Sequence, residues 1–188
     1  PCINGRVVAP GAFFGGRSDR LVDRLLAEQL GDGGWNCEAE RGSVRSSFHT
    51  TICVIEGLLA FEKAFGATPA VSDARRRAEA YLLERRLLRR LSTGDIIERL
   101  WTQFAFPTLW HYDVLRALDY LRAADVRPDA QVEEAIAIVL ERRQPDGRWR
   151  LDVRHQDTLH EELAGDVGEP NRWVTLRARR VLDWHARQ

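Results

Sequence analysis

Residues 29–62 read QLGDGGWNCEAERGSVRSSFHTTICVIEGLLAFE. A helix that precedes this stretch is predicted to end at the glycine-rich turn 31–34, because glycine readily adopts the left-handed backbone at which helices stop. Trp35 follows the turn, and a polar run leads to a second helix from His49 to about Phe65. That helix is apolar on nearly all sides, which predicts burial on all sides. The stretch therefore predicts an amphipathic helix paired with a buried one.

The same unit recurs along the chain. The apolar helices are predicted to begin at His49, His111 and Trp173, and the intervals 49 to 111 and 111 to 173 are both 62 residues. A second glycine turn followed by tryptophan occurs at residues 146–149, which read DGRW. We interpret Trp35 and Trp149 as structural residues that pack each turn against a neighbouring helix. A fixed period of this kind is typical of stacked helical hairpins.

The two kinds of helix predict an all-α fold, an α/α toroid or partial barrel with apolar helices inside and amphipathic helices outside. The inner set is predicted to start at Cys2, His49, His111 and Trp173, and the outer set to cover residues 19–30, 72–91 and 129–143. Pro10 is expected to interrupt the first helix and Pro69 to keep 66–71 out of helical conformation. Residues 1–188 are predicted to be a single toroid domain that is incomplete at its N-terminus. The long loops 31–48, 92–109 and 145–172 all precede inner helices, so they are predicted to meet at one end, the mouth of the toroid.

The charge balance limits the kinds of partner. Lys and Arg number 28, and Asp and Glu also number 28. The sequence therefore predicts no nucleic-acid binding, which requires a basic excess or stripe. The arginine-rich segments 75–77 and 85–90 are interpreted as a solvated outer helix face.

Apolar runs and cysteines bear on location. No apolar run reaches the roughly 20 residues of a membrane span, so no transmembrane segment is expected. The cysteines number 3. An odd set favours a reducing compartment over a disulfide framework, and a cytoplasmic location is predicted.

Two motifs give the chain a resemblance to a known superfamily. Gln29 with the turn and Trp35, and residues 144–149 (QPDGRW), are similar to the Gln–Trp repeat of the terpene cyclase and protein prenyltransferase superfamily. The glycine turn followed by Phe48-His49-Thr50 also resembles the protein prenyltransferase β subunit, in which the histidine of this step is a zinc ligand. The resemblance implies an α/α toroid with an apolar pocket at the mouth, which acts on or binds an isoprenoid or other lipid-like substrate.

Several residues predicted at the mouth have side chains suited to a site. A zinc site would use Cys2, Cys37, His49 and His111 as ligands; the alternative is that both histidines cap inner helices. His111 and Asp113 are a candidate pair for proton transfer, or Asp113 is a helix cap. If the chain is an enzyme, His49, His111 and Asp113 are the catalytic candidates. The aromatic residues predicted to line the pocket and bind substrate are Phe48, Phe106, Trp110 and Trp173.

Alternative interpretations remain open. The chain lacks the Asp-x-Asp-Asp and Asp-x-Cys steps of the superfamily, which favours a non-catalytic α/α module that binds a ligand or a partner chain. A zinc-dependent enzyme of another reaction class is a further alternative. His160-Glu161 resembles the start of a His-Glu-x-x-His zinc motif, but position 164 is alanine, so this zinc motif is rejected.

A partial toroid leaves an apolar inner helix uncovered, which predicts a homo-oligomer or a missing N-terminal segment.

Overall fold

The computed structural model describes residues 1–155 and 164–187. These residues form helices and no strand, which confirms the all-α prediction. None of the helices in this part of the chain is long and apolar enough to cross a membrane. The helices are α1 (Cys2–Phe13), α2 (Asp19–Ala27), α3 (Phe48–Phe65), α4 (Pro69–Glu84), α5 (Val114–Ala123), α6 (Glu133–Glu141) and α7 (Arg172–His185), with 3-10 turns at Ala39–Arg41 and Arg99–Thr102.

The chain divides into two compact units, which we call unit 1 (Pro1–Leu82) and unit 2 (Leu83–Gln188). Unit 1 contains α1, α2, α3 and most of α4, and unit 2 contains α5, α6 and α7. The toroid arrangement and the single toroid domain stay predictions.

In unit 1, α1 lies along α3 and the two helices run parallel. The backbone of Gly5 in α1 lies directly against that of Gly57 in α3. Farther along, the guanidinium of Arg17 lies over the rings of Phe61 and Phe65. Residue numbers rise together along the two segments, so both helices begin at the same end of unit 1.

The buried character of α3 follows from its sequence. Its side chains are apolar on nearly every side, and helices of this kind are stable only inside a core. Ser47 begins the helix, because its hydroxyl accepts the N–H of Thr50. The residues of α3 with no exposed surface include Thr51, Ile52, Val54, Ile55 and Leu58.

Two helix boundaries in unit 1 differ from the sequence predictions because of proline. Pro10 lies inside α1, so the prediction that it interrupts the helix is wrong. The buried side chains of Val8 and Ala12 hold this segment helical on both sides of Pro10. Pro69 is the first residue of α4, so the prediction that it excludes helix there is also wrong. Proline fits a first helical turn, where its missing N–H would have no acceptor within the helix.

Helix α4 ends at Glu84, seven residues before the predicted end at Leu91. Arg86 and Leu87 have positive φ angles of 47° and 66°. The change of direction brings the side chains of Leu87 and Leu88 into the core, where both are 0% exposed. Burial of these two leucines therefore overrides the helical periodicity of the segment.

In unit 2, α5 and α7 also run parallel. Asp119 in α5 pairs with Arg177 in α7, at 3.3 Å between Oδ2 and Nε. Farther along, the indole Nε1–H of Trp184 donates to the carbonyl of Val126 at 3.0 Å. The two helices thus begin at the same end of unit 2, where residue 113 leads into α5 and residue 171 leads into α7.

Helix α5 begins at Val114, so the prediction of a start at His111 is wrong. The carboxylate of Asp113 accepts the N–H of Arg116 at 2.7 Å and caps the helix. The Arg116 guanidinium donates to the carbonyls of Leu109 and His111, at 3.0 and 2.6 Å, and so holds residues 109–111 outside the helix. The interval of 62 residues therefore does not join equivalent helix positions.

The turn before Trp35 is fixed by buried hydrogen bonds. The indole Nε1–H donates to the carbonyl of Leu25 at 2.7 Å, which ties the turn to α2. The backbone N–H of Trp35 donates to the hydroxyl of Thr51 at 3.0 Å, which ties it to α3. The carbonyl of Trp35 accepts the N–H of Ser47 at 2.8 Å. These bonds confirm the structural interpretation of Trp35.

The turn before Trp149 has the same hydrogen bonds within unit 2. Its indole Nε1–H donates to the carbonyl of Val139 at 2.7 Å, and its backbone N–H donates to the hydroxyl of Thr175 at 3.0 Å. The carbonyl of Trp149 accepts the N–H of Asn171, the cap of α7, at 2.8 Å. Trp149 is therefore also structural, as predicted.

Helix α1 and the residue that follows it carry exposed apolar side chains. Ile3 and Val7 are 73% and 49% exposed, and Phe13 and Phe14 are each 83% exposed. The predicted homo-oligomer or additional N-terminal segment would cover such a surface, and both stay predictions.

Candidate functional site

The site candidate in unit 2 is a set of stacked rings, here called the aromatic cluster: Phe106, Trp110, His111, His155 and Trp173. Phe106 stacks on Trp173, with ring centroids 5.3 Å apart and an interplanar angle of 19°. Trp110 stacks on His111 at 3.8 Å, and His111 stacks on His155 at 3.5 Å with an interplanar angle of 8°. Trp110 is 41% exposed, and the other four residues are half-buried. Partly exposed aromatic faces of this kind can pack against an apolar ligand.

Both stacks are carried by two loop segments that pair with each other. Ala105 and Val153 form a parallel bridge. The Asp152 N–H donates to the Phe104 carbonyl at 2.9 Å, and the Asp152 carboxylate accepts the Phe104 N–H at 2.8 Å. The pairing therefore brings Phe106 and His155 to the same part of unit 2.

Helix α7 supplies Trp173 to the cluster. Asn171 caps α7 by accepting the N–H groups of Trp173 and Val174, each at 3.0 Å. The Arg172 guanidinium lies 5.0 Å from the centroid of the Trp173 ring. The indole Nε1–H of Trp173 is buried and has no acceptor among the described residues. A buried donor without an acceptor is costly, so this N–H is suited to an oxygen of a bound molecule.

The structure brings four of the predicted site residues into this cluster or beside it. Phe106, Trp110 and Trp173, predicted to bind substrate, all belong to it, as does His111. His155 was missed, because a lone histidine in a long loop has no periodicity and its partner is 44 residues away in the chain. The prediction that these residues bind substrate or catalyse stays a prediction.

Asp113 is a buried helix cap as well as a catalytic candidate. Its side chain is 3% exposed and accepts the N–H of Arg116. Burial raises the pKa of Asp113 above its ordinary value near 3.8, although the charge of Arg177 and the backbone N–H of Arg116 oppose the rise. Burial dominates because a carboxylate loses its hydration there.

We expect Asp113→Ala to lower the free energy of unfolding by about 1–2 kcal/mol at pH 7, because it removes the cap of α5. Asp113→Asn keeps a capping oxygen and removes the buried charge, so it should cost less than Asp113→Ala. A carboxyl with a raised folded-state pKa loses stability as pH rises from its unfolded value through that pKa. The wild type should therefore lose stability relative to Asp113→Asn as pH rises above about 4, the ordinary pKa of an aspartate.

Urea denaturation of the wild type and of Asp113→Asn at several pH values measures this difference. If the two stability curves stay parallel across these pH values, the burial of a titrating Asp113 carboxyl is contradicted.

The predicted residues of unit 1 are placed at the start of α3. Phe48 is buried and packs on Tyr81, with ring centroids 5.4 Å apart. His49 is half-buried in the first turn, but Ser47 is the residue that caps α3. Asp113 caps α5, so the alternative that His49 and His111 are the helix caps is wrong.

Two cysteines of the predicted zinc set lie together in unit 1. The Sγ atoms of Cys2 and Cys37 are 2.9 Å apart, and we call them the dithiol pair. Burial, with the hydrogen bond to Cys37, raises the pKa of Cys2 to about 11. Burial also acts to raise the pKa of Cys37, but hydrogen bonds from Cys2 and Thr50 outweigh it and leave that pKa lowered.

The described residues do not supply a zinc site by themselves. Among residues 1–155 and 164–187, no three His, Cys, Asp or Glu side chains are grouped so that they could hold a metal ion. A zinc site requires at least three protein ligands, and the dithiol pair provides two. Zinc binding stays a prediction, which elemental analysis of the purified chain can test. The loop residues His160, Glu161 and Glu162 lie outside the described residues.

Comparisons with known proteins identify no family for this chain. No family model, no curated protein and no solved structure matches it. The resemblance to the terpene cyclase and protein prenyltransferase superfamily therefore rests on the sequence motifs alone.

Proposed function

We propose that this chain is an α/α toroid module that binds an isoprenoid or similar lipid-like molecule at the aromatic cluster of unit 2. The observation that carries the proposal is the pair of ring stacks, Phe106 on Trp173 and Trp110 on His111. Flat, polarisable faces of this kind favour an unsaturated hydrocarbon chain, as in an isoprenoid. The parallel starts of α5 and α7 in unit 2 support a mouth at this end.

The polar groups of the cluster favour a ligand with an oxygen atom at one end. The indole Nε1–H of Trp173 has no acceptor among the described residues, and a ligand hydroxyl can accept from it. The Arg172 guanidinium beside the same ring adds a cation there. An isoprenoid alcohol combines the apolar chain and the oxygen, so farnesol is the probe of choice.

Binding without catalysis is the form of the proposal that the local geometry favours. Asp113, the acidic candidate, is buried and its carboxylate is occupied by the N–H of Arg116. A proton donor must reach the reacting atom of the substrate. If the module is an enzyme of the terpene cyclase type, incubation with an isoprenoid substrate will yield a new product by mass spectrometry.

Titration of the intact chain with farnesol, followed by tryptophan fluorescence, tests the proposal. We expect saturable quenching in the wild type. Trp110→Ala and Trp173→Ala should each weaken binding about fivefold, because each removes a stacked ring worth about 1 kcal/mol. Pentadecanol, a saturated alcohol with the same number of carbon atoms, should bind more weakly.

Trp184→Phe is the matched control, because Trp184 lies near the opposite, C-terminal end of α7. It should leave farnesol affinity unchanged. Two outcomes would contradict binding at the aromatic cluster. One is that Trp110→Ala and Trp173→Ala bind farnesol as tightly as the wild type, and the other is that Trp184→Phe loses as much affinity as they do.

A further inference from the structure

The dithiol pair joins two parts of unit 1 that are distant in sequence. Cys2 lies in the first turn of α1, and Cys37 lies in the loop between Trp35 and the 3-10 turn Ala39–Arg41. Their Sγ atoms are 2.9 Å apart although the residues are 35 positions apart. A disulfide bond is about 2.05 Å long, so the two sulfurs need to approach by less than about 1 Å to form one.

Both cysteines are held in place by their surroundings. On one side, the close contact of Gly5 with α3 fixes the turn that carries Cys2. On the other side, the bonds of Trp35 to Leu25 and Thr51 fix the chain two residues before Cys37. The N–H of Cys37 also donates to the hydroxyl of Thr50 at 3.4 Å. The packing of unit 1 therefore holds the two sulfur atoms close together.

The pair is also accessible to small molecules. Cys37 is exposed and Cys2 is half-buried. The third cysteine, Cys53, is 1% exposed within α3. Reagents that meet the folded chain will therefore reach Cys37 first.

We propose that Cys2 and Cys37 form a reversible thiol–disulfide exchange site that involves no other cysteine of the chain and reacts with disulfides of small thiols. The Cys37 thiolate attacks one sulfur of the small disulfide, its S–S bond breaks, and one small thiolate leaves. The Cys2 thiol then loses its proton to solvent, and its sulfur attacks Cys37 in the mixed disulfide. The second small thiolate leaves as the Cys2–Cys37 bond forms.

The exchange is balanced in electrons and protons. Two protein thiols lose two electrons and two protons, and one small disulfide becomes two thiols. Cys37 is the more exposed of the two cysteines, which suits it to be the attacking group. The resulting bond connects the start of α1 to the loop that leads into α3.

The test uses the intact, reduced chain in buffers of glutathione and glutathione disulfide. We expect a mass decrease of about 2 Da, for the two protons lost, without a lasting glutathione adduct. Peptide mapping should join Cys2 to Cys37 and leave Cys53 free. The oxidised chain should melt about 5–10 °C higher, because the bond closes a long loop of the unfolded chain.

Two variants and a measurement on the unfolded chain in urea serve as controls. Cys53→Ser should still form the bond, whereas Cys37→Ser should stop at a glutathione adduct or remain reduced. The equilibrium constant for the exchange should be at least about tenfold larger in the folded chain than in urea, because folding raises the effective concentration of the two thiols. An equal constant in both states, a persistent adduct in the wild type, or a bond to Cys53 would overturn the proposal.

Discussion

Arg75→Ala is expected to lower the free energy of unfolding by about 3–5 kcal/mol, because it removes one partner from a buried charge network. Arg75 in α4 pairs with Glu62 of α3, at 2.7 Å between Nε and Oε2, and with Glu79 one turn farther along α4. The side chains of Arg75, Glu62 and Glu79 are only 13%, 7% and 8% exposed. The hydroxyl of Ser72 also donates to Glu62. Without the guanidinium, two buried carboxylates would lose this counter-charge.

The neighbouring residue supplies a matched control for Arg75. Arg76 pairs with Asp73 on the same helix, but their side chains are 63% and 62% exposed. Exposed pairs are worth little, so Arg76→Ala should change stability by less than about 1 kcal/mol. Adding Glu79→Gln to Arg75→Ala should recover part of the loss, because it removes one of the two buried negative charges. Similar urea midpoints for Arg75→Ala and Arg76→Ala would contradict the network.

Gly57→Ala is expected to lower the free energy of unfolding by about 3 kcal/mol, the cost of overpacking a core that cannot adjust. A Cβ atom at Gly57 would overlap the carbonyl oxygen of Gly5 on α1. A Cβ atom at Gly5 would lie 2.5 Å from the carbonyl oxygen of Cys53. Both obstacles are backbone atoms, so α1 and α3 would have to move apart. Gly5→Ala should therefore be as damaging as Gly57→Ala.

The control for this contact is Gly11→Ala, in the same α1. The nearest atoms to a Cβ there lie at 3.4 Å, so the methyl group has room. Alanine favours helix over glycine by about 1 kcal/mol, so Gly11→Ala should be neutral or stabilising. Thermal unfolding of the three variants separates these outcomes. A Gly57→Ala chain as stable as Gly11→Ala would show that the helices do not meet this closely.

The helices themselves could be predicted largely from local sequence. The apolar α3 and its start within a residue of His49 followed from periodicity, and the turns before Trp35 and Trp149 followed from glycine. These signals are local, because side chains three or four residues apart share one helix face. The same reasoning failed at Leu87 and Leu88, where burial in the core outweighed the helical pattern.

The candidate sites could be predicted only in part. Residue type and the expected shared end of the helices selected Phe106, Trp110, His111 and Trp173, which the structure places in stacks. The pattern of charges assigned Arg75 to a solvated face, and that interpretation is wrong, because Arg75 points to Glu62 on another helix. A run of arginines in the sequence does not show which of them will pair with a carboxylate on another helix.

The helical class, the glycine turns and the structural tryptophans could be predicted from the sequence alone, because each depends on residues close together in the chain. Only the tertiary structure decided where α5 begins, since the side chain of Arg116 holds the carbonyls before it. The contacts of Cys2 with Cys37 and of His111 with His155 also depend on the tertiary structure. These contacts join residues separated by tens of positions, and packing rather than periodicity brings them together.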